Sequence, residues 1–159
     1  NPYKFKKIFS REILNLISQI HYKNKTFVHR DFHVSNLMKI KDTLALIDNQ
    51  DALIGNKAYD LASLIDDVRI KTSSNLKKKI LNFYLKINKN INKKKFIRDF
   101  EILSVLRNLK IIGIFARLSI RDRKKRYLKL IPYAWSLIYL RINKDKIFND
   151  LRSLLKEIN

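Results

Sequence analysis

Apolar residues recur at helical spacing along almost the whole chain, and one segment interrupts that pattern. The spacing near the start predicts an amphipathic helix over about residues 6–23, with apolar positions at Phe9, Ile13, Leu16, Ile17 and Ile20. Between Thr26 and Asp48 the apolar runs are too short for helices, and turn-forming residues separate them. The chain is therefore predicted to be mainly α with one small β-hairpin.

Helical patterning returns after this segment. It predicts one helix at Tyr59–Val68 and a second that begins at a cap, Ser73 or Ser74. Three more are predicted: over about Lys94–Ile120, from a break near Lys129–Ile131 to about Arg141, and at Lys144–Glu157. Pro132 marks the break, because proline can begin a helix but cannot continue one. Asp66 and Asp67 are expected on a solvated helix face. With no repeat or linker visible, residues 1–159 are interpreted as a single domain.

The formal charge of +21 raises the possibility of a nucleic-acid partner. The lysines, however, accompany many Ile and Asn residues, which A/T-rich codons also encode, and the basic residues are spread without aromatic stacking platforms. A nucleic-acid binder is therefore the least favoured function. The chain has no cysteine and three histidines, which argues against disulfides and a zinc site. No signal peptide or bilayer-spanning run is visible, so a cytoplasmic location without membrane contact is expected.

Three polar residues lie around the short strands of the interrupted segment. Asp31 follows the run that ends at His29, Asn36 begins the next run, and Asp48 ends the one after it. In a hairpin turning at Lys41–Thr43, opposed residue numbers sum to about 84, so Asn36 lies opposite Asp48 within one residue. An amide and a carboxylate oxygen suit Mg²⁺, and a nearby carboxylate can deprotonate a hydroxyl. This set indicates phosphoryl transfer, with Asp31 as the base.

The same segment resembles a known superfamily. HRDFHVSN is similar to the catalytic loop of the aminoglycoside phosphotransferase and choline kinase superfamily, whose fold is protein-kinase-like, and LALIDNQDALIGNKAYDLASLIDD is similar to the metal-binding segment and helix that follow it. NLKIIGIFARLSIRD, residues 108–122, resembles a stretch of one branch, the anomeric kinases of N-acetylmuramate and N-acetylglucosamine in cell-wall recycling. The resemblance extends over about residues 27–141.

The resemblance implies roles for individual residues. Asp31 would be the catalytic base, and Asn36 and Asp48 would hold Mg²⁺ between the β- and γ-phosphates of ATP. His29 would brace the loop, and Asp60 would accept hydrogen bonds from the loop backbone. Further candidates for substrate or loop contacts are Arg30, His33, Gln50, Asp51 and Arg117. For both histidines a hydrogen-bonded structural role is favoured over direct chemistry. Asn49 departs from the family, which usually has an aromatic residue after the metal-binding Asp.

The sequence lacks one part that the chemistry needs. Kinase-like folds cover the phosphates with a glycine-rich loop and a lysine in an N-terminal lobe, but the two glycines here, Gly55 and Gly113, form no such loop. The chain is therefore interpreted as the helical C-terminal lobe of a kinase-like phosphotransferase, a fragment that is inactive alone, with its nucleotide lobe expected upstream in the natural polypeptide.

The expected activity is ATP-dependent transfer of the γ-phosphate to a hydroxyl of an amino sugar. Two alternatives stay open. The chain could be an inactive remnant or pseudokinase that serves as an interaction module, or a kinase of the same superfamily for an aminoglycoside, choline or homoserine.

Overall fold

The computed structural model describes residues 2–157, and over this range the fold is mainly helical, as predicted. The helices are α1 (Pro2–Ser18), α2 (Tyr59–Ile65), α3 (Ser74–Ile87), α4 (Lys93–Ile120), α5 (Ile131–Ile142) and α6 (Asn149–Lys156). The strands are β1 (Thr26–Val28), β2 (Leu37–Ile40), β3 (Thr43–Leu46) and β4 (Leu53–Gly55). Short 3-10 helices cover Val34–Asn36, Lys125–Leu130 and Lys146–Phe148. None of the helices in this range is long and apolar enough to cross a membrane.

Local capping chemistry explains several helix ends. The hydroxyl of Ser73 accepts a hydrogen bond from the backbone N–H of Leu76 at 3.2 Å, so the predicted cap of α3 is confirmed. Pro132 lies in the first turn of α5, where its missing N–H has no helical partner to lose. Helix α1 ends at Ser18, earlier than predicted, because the backbone N–H groups of His21 and Tyr22 donate to the carboxylate of Asp99 instead of continuing the helix.

The four strands form two antiparallel pairs. Strands β2 and β3 make the predicted hairpin, pairing Leu37 with Leu46 and Ile40 with Thr43, and Lys41 adopts a left-handed φ of 51° in the turn. Strand β1 pairs with β4, which the sequence pattern did not reveal. At the end of this ladder, a Cβ on Gly55 would lie 2.9 Å from Cγ2 of Val28, so only glycine fits there without displacement.

The elements group into two compact units. The unit His21–Ser104 holds all four strands, α2, α3 and the first part of α4, and its core includes Val28, Ile65, Phe96 and Phe100. The other unit comprises the residues up to Ile20 and those from Val105 onward. Within it, α6 packs against α1 and α5.

The expectation for Asp66 and Asp67 is wrong, because both side chains are buried in the strand-containing unit, at 0% and 1% exposure. Asp66 forms an ion pair with Nζ of Lys77 at 2.9 Å and accepts a hydrogen bond from the hydroxyl of Ser104 at 2.6 Å. Asp67 pairs with the guanidinium of Arg69 at 3.1 Å. Helix α2 ends at Ile65, earlier than predicted, so neither residue lies on a helix face, and tertiary partners bury both.

Candidate active site

The loop between β1 and β2 is anchored by Asp60 in the first turn of α2. One carboxylate oxygen of Asp60 accepts from the backbone N–H of His29 at 2.7 Å, and the other accepts from the backbone N–H of Arg30 at 3.0 Å. Arg30 adopts a left-handed φ of 72°, a conformation that costs free energy for a residue with a side chain. The two charge-assisted bonds offset that cost and fix the backbone directly before Asp31.

His29 ties the loop to the end of β3. Its ring is fully buried, and Nε2 lies 3.0 Å from the carbonyl oxygen of Ile47, to which it donates. Nδ1 is buried and has no hydrogen-bond partner among residues 2–157, which favours the tautomer that carries its proton on Nε2. The contact joins the loop to the residue directly before Asp48.

Asp31 itself is partly exposed, whereas the side chains next to it are buried. Its side chain is 45% exposed, and Oδ2 lies 3.2 Å from Nε2 of His33, whose side chain is 6% exposed. The buried amide of Asn36 donates through Nδ2 to the backbone carbonyl of Asp31 at 2.9 Å and lies 3.4 Å from Oδ2. Oδ1 has no hydrogen-bond partner within residues 2–157. One carboxylate oxygen is therefore held, and the other is available to accept a proton.

The hairpin brings Asn36 to the neighbourhood of Asp48. The register of β2 and β3 continues to Asn36, whose carbonyl accepts from the N–H of Ile47 at 3.1 Å, and Asp48 follows Ile47 at once. Asp48 is exposed, has a φ of 65°, and makes no hydrogen bond or ion pair within residues 2–157. Nδ2 of Asn36 donates to Asp31, and its Oδ1 makes no hydrogen bond within residues 2–157, so this oxygen can bind a cation.

This donor set fits Mg²⁺. Two hard oxygen ligands, one amide and one carboxylate, match the way Mg²⁺ binds through few protein groups while substrate phosphates and waters complete its octahedron. Within residues 2–157 no three His, Cys, Asp or Glu side chains converge into an all-protein metal site.

The remaining sequence-predicted candidates lie in different places. The guanidinium of Arg30 donates to the backbone carbonyl of Asp51 at 3.3 Å, which links the loop to the turn after Asp48. Gln50 and Asp51 are exposed in that turn, which the N–H of Ala52 closes by donating to the carbonyl of Asn49 at 3.0 Å. Arg117 belongs to the part of α4 in the other compact unit.

Sequence reasoning missed Asp99 and Asn56, which hold the chain that leads into β1. Asp99 is fully buried and accepts from the backbone N–H groups of His21 and Tyr22, both at 2.8 Å. Nδ2 of Asn56 donates to Asp99 at 3.0 Å and to the carbonyl of Tyr22 at 2.9 Å, while its Oδ1 caps the turn before α2. The available signal was helical spacing: Asp99 lies three residues after Phe96 and four before Leu103, and a charge on that apolar face needs partners.

Comparisons with known proteins show which family the chain resembles. The model of the phosphotransferase enzyme family matches residues 7–95, a range that includes the loop, the hairpin and α2. Three curated relatives are all named N-acetylmuramate/N-acetylglucosamine kinase. The protein from Caulobacter vibrioides is 34% identical over 119 residues, 72% of this chain. Those from Neisseria meningitidis serogroup B and Pseudomonas aeruginosa are 34% and 32% identical over 138 and 140 residues, which are 82% and 84% of this chain.

The matched region is only part of each relative. It covers 32% of the length of the Caulobacter protein and 41% of the length of the other two. The chain thus spans about two fifths or less of the curated relatives that it matches.

Proposed function

Because the chain belongs to the phosphotransferase enzyme family, we propose that it supplies the catalytic loop and metal-binding segment of an ATP-dependent amino-sugar kinase. The proposed acceptor is a hydroxyl of N-acetylmuramate or N-acetylglucosamine, the sugars in the names of the three relatives. The observation that carries the proposal is the carboxylate of Asp31, with one oxygen held by His33 and the other unpartnered among residues 2–157, close to the hairpin end that bears Asn36 and Asp48.

In the proposed reaction, Asp31 accepts the proton of the sugar hydroxyl through its free oxygen. The sugar oxygen forms a bond to the γ-phosphorus of ATP while the bond between that phosphorus and the β–γ bridging oxygen breaks, and ADP leaves with the bond's electron pair. Asn36 and Asp48 are the residues that would hold Mg²⁺. When bound, the ion neutralises charge on the phosphate oxygens. Asp60 and His29 hold the loop and the hairpin end so that these groups stay in place.

The complete enzyme is proposed to include a nucleotide-binding lobe upstream of this segment in the same polypeptide. Phosphoryl transfer needs groups that cover the phosphates, and a glycine-rich loop is not among the features of this sequence. The greater length of the relatives is consistent with such a lobe. We place the reaction in the cytoplasm, where ATP is supplied, and the absence of cysteine fits that reducing compartment.

The test is phosphate transfer from Mg²⁺–ATP to N-acetylmuramate and N-acetylglucosamine by the complete polypeptide. Asp31→Asn and Asp48→Asn should each lower kcat/KM by a hundredfold or more, equivalent to about 3 kcal/mol of transition-state stabilisation. Asp42→Asn is the matched control, because Asp42 is an exposed carboxylate in the hairpin turn without a hydrogen bond or ion pair inside residues 2–157. Full activity of either site variant would refute the assigned role.

A panel of acceptors decides the substrate class. Aminoglycosides, choline and homoserine should be phosphorylated far more slowly than the amino sugars. Preferential transfer to one of them would keep the phosphotransferase chemistry and replace the proposed acceptor. Transfer to none of the compounds, by a polypeptide that contains the upstream lobe, would count against the catalytic proposal as a whole.

A further inference from the structure

The buried ring of His33 contacts the proposed base, and its role goes beyond loop packing. We propose that His33 is a positioning residue: it donates its Nε2–H to Oδ2 of Asp31 and so directs Oδ1 toward the acceptor hydroxyl. The inference rests on the proposed function, because it specifies how the base of that reaction is oriented. It assigns His33 neither to the nucleotide nor to proton transfer itself.

The environment of His33 defines which ring nitrogen carries the proton. Nε2 lies 3.2 Å from Oδ2 of Asp31. Nδ1 is buried and has no hydrogen-bond partner among residues 2–157. A proton on Nδ1 would place an N–H donor in a buried position without an acceptor, which is more costly than leaving a bare nitrogen lone pair there. The favoured tautomer therefore carries its proton on Nε2, the nitrogen that lies next to the carboxylate.

The second neighbour of Asp31 does not replace this contact. Nδ2 of Asn36 donates to the backbone carbonyl of Asp31 at 2.9 Å, within the normal range of hydrogen-bond lengths, but lies 3.4 Å from Oδ2. Asn36 thus holds the backbone of Asp31, and His33 makes the shorter contact with its side chain. Without His33, this 45% exposed carboxylate would keep only the longer contact from Asn36 among residues 2–157, and its rotation would be less restricted.

Orientation of the base matters because proton transfer requires the accepting oxygen within hydrogen-bond reach of the hydroxyl. A displacement of the reacting group by about 1 Å can cost on the order of a hundredfold in rate. Loss of the His33 contact should therefore lower kcat. Binding of ATP should change little, because the proposed metal ligands, Asn36 and Asp48, remain.

The kinetic test uses the complete polypeptide with Mg²⁺–ATP and the amino sugar that it phosphorylates. His33→Phe fills the buried space without a donor and should lower kcat by about 10- to 100-fold, with the KM for ATP within about twofold of wild type. His33→Gln can present an N–H at a similar distance and should recover most of the lost kcat. A kcat of His33→Phe close to wild type would overturn the proposal, as would equal impairment of the Gln and Phe variants. A raised KM for ATP at unchanged kcat would place His33 on the nucleotide instead, which also overturns it.

A second measurement is independent of activity. Nitrogen NMR of the polypeptide labelled at histidine nitrogens, with the His33 signals assigned through His33→Gln, should show a protonated Nε2 and a bare Nδ1. The Asp31→Asn variant should change the Nε2 signal, because its partner is altered. A proton on Nδ1, or an Nε2 signal that is the same in the wild type and in Asp31→Asn, would overturn the positioning role by itself. Failure of the wild type to phosphorylate any acceptor would instead count against the proposed function.

Discussion

Replacing Asp60 by Asn tests how the catalytic loop is held, because the change keeps the size of the side chain and removes one acceptor. In the native loop, the two oxygens of Asp60 accept from the backbone N–H groups of His29 and Arg30 at 2.7 and 3.0 Å. An amide has one oxygen and an NH₂ group. In Asp60→Asn the NH₂ group must therefore face one of the two backbone donors.

The expected cost follows from these contacts. A hydrogen bond to a charged group contributes about 1.5–3 kcal/mol, and one such bond is lost while the other becomes a bond to a neutral acceptor. Arg30 must also keep its left-handed φ of 72° with less support. Together these effects should lower the local free energy of opening by about 2–4 kcal/mol. Since 1.4 kcal/mol corresponds to a factor of ten, protection of the two amides should fall by about 30- to 700-fold.

Amide hydrogen exchange at His29 and Arg30, followed by NMR, measures this change directly. Asp42→Asn is the control, since it removes the same charge from an exposed carboxylate that has no partner within residues 2–157, and it should leave both amides protected. Protection in Asp60→Asn within about threefold of the control would refute the reasoning, because it would mean that the carboxylate does not support the loop.

Other predictions follow from contacts outside the loop. Gly55→Ala should lower the free energy of unfolding, measured by urea titration, by about 1–3 kcal/mol, because its Cβ would lie 2.9 Å from Cγ2 of Val28. Gly113→Ala, where a Cβ meets open space, should instead stabilise α4 by about 0.5–1 kcal/mol. A midpoint shift of the same sign in both variants would contradict the packing argument. Ser73→Ala removes the cap of α3 and should cost about 1 kcal/mol in the same assay, and an unchanged midpoint would count against it. Burial raises the pKa of Tyr84 above its ordinary value of 10.0, so the folded state keeps a proton that the unfolded state loses, and stability is lost as the pH rises past that value. Tyr84→Phe should weaken this alkaline decline. Urea titrations of the wild type and the variant, below and above pH 10.0, measure it, and the same loss of stability in both proteins would refute the prediction.

The helices could be predicted from the sequence because their signal is local. Apolar spacing located α3 and α4, and Ser73, one of the two candidate caps, marks the start of α3. The end of α1 and the existence of β4 depend on partners far along the chain, namely Asp99 for the amides after α1 and β1 for β4. A three-residue strand has too little periodicity to be recognised without its partner.

The residues of the candidate site divide in the same way. The hairpin register was predictable within one residue, because the turn length fixes which residues of β2 and β3 are opposed. Residue type pointed to Asp31, Asn36 and Asp48, since few other arrangements need a carboxylate and an amide so placed. The contact between His33 and Asp31 depends on how the loop folds back on itself, and spacing alone could not choose it over a solvated histidine. The catalytic roles themselves stay predictions until activity is measured.

One buried side chain sets the relation between the proposed base and the proposed metal ligand. His29 donates to the carbonyl of Ile47 at 3.0 Å, and Asp31 lies two residues after His29 while Asp48 lies one residue after Ile47. The hydrogen bond thus connects the carboxylates of the proposed base and the proposed metal ligand by a much shorter route than the hairpin does. Because the ring is fully buried, water cannot compete for this bond, and its geometry stays defined while Asp48 remains exposed to solvent. Asp31 and Asp48, which would meet the substrates, can therefore be accessible to solvent because His29, which holds their backbone segments together, is buried.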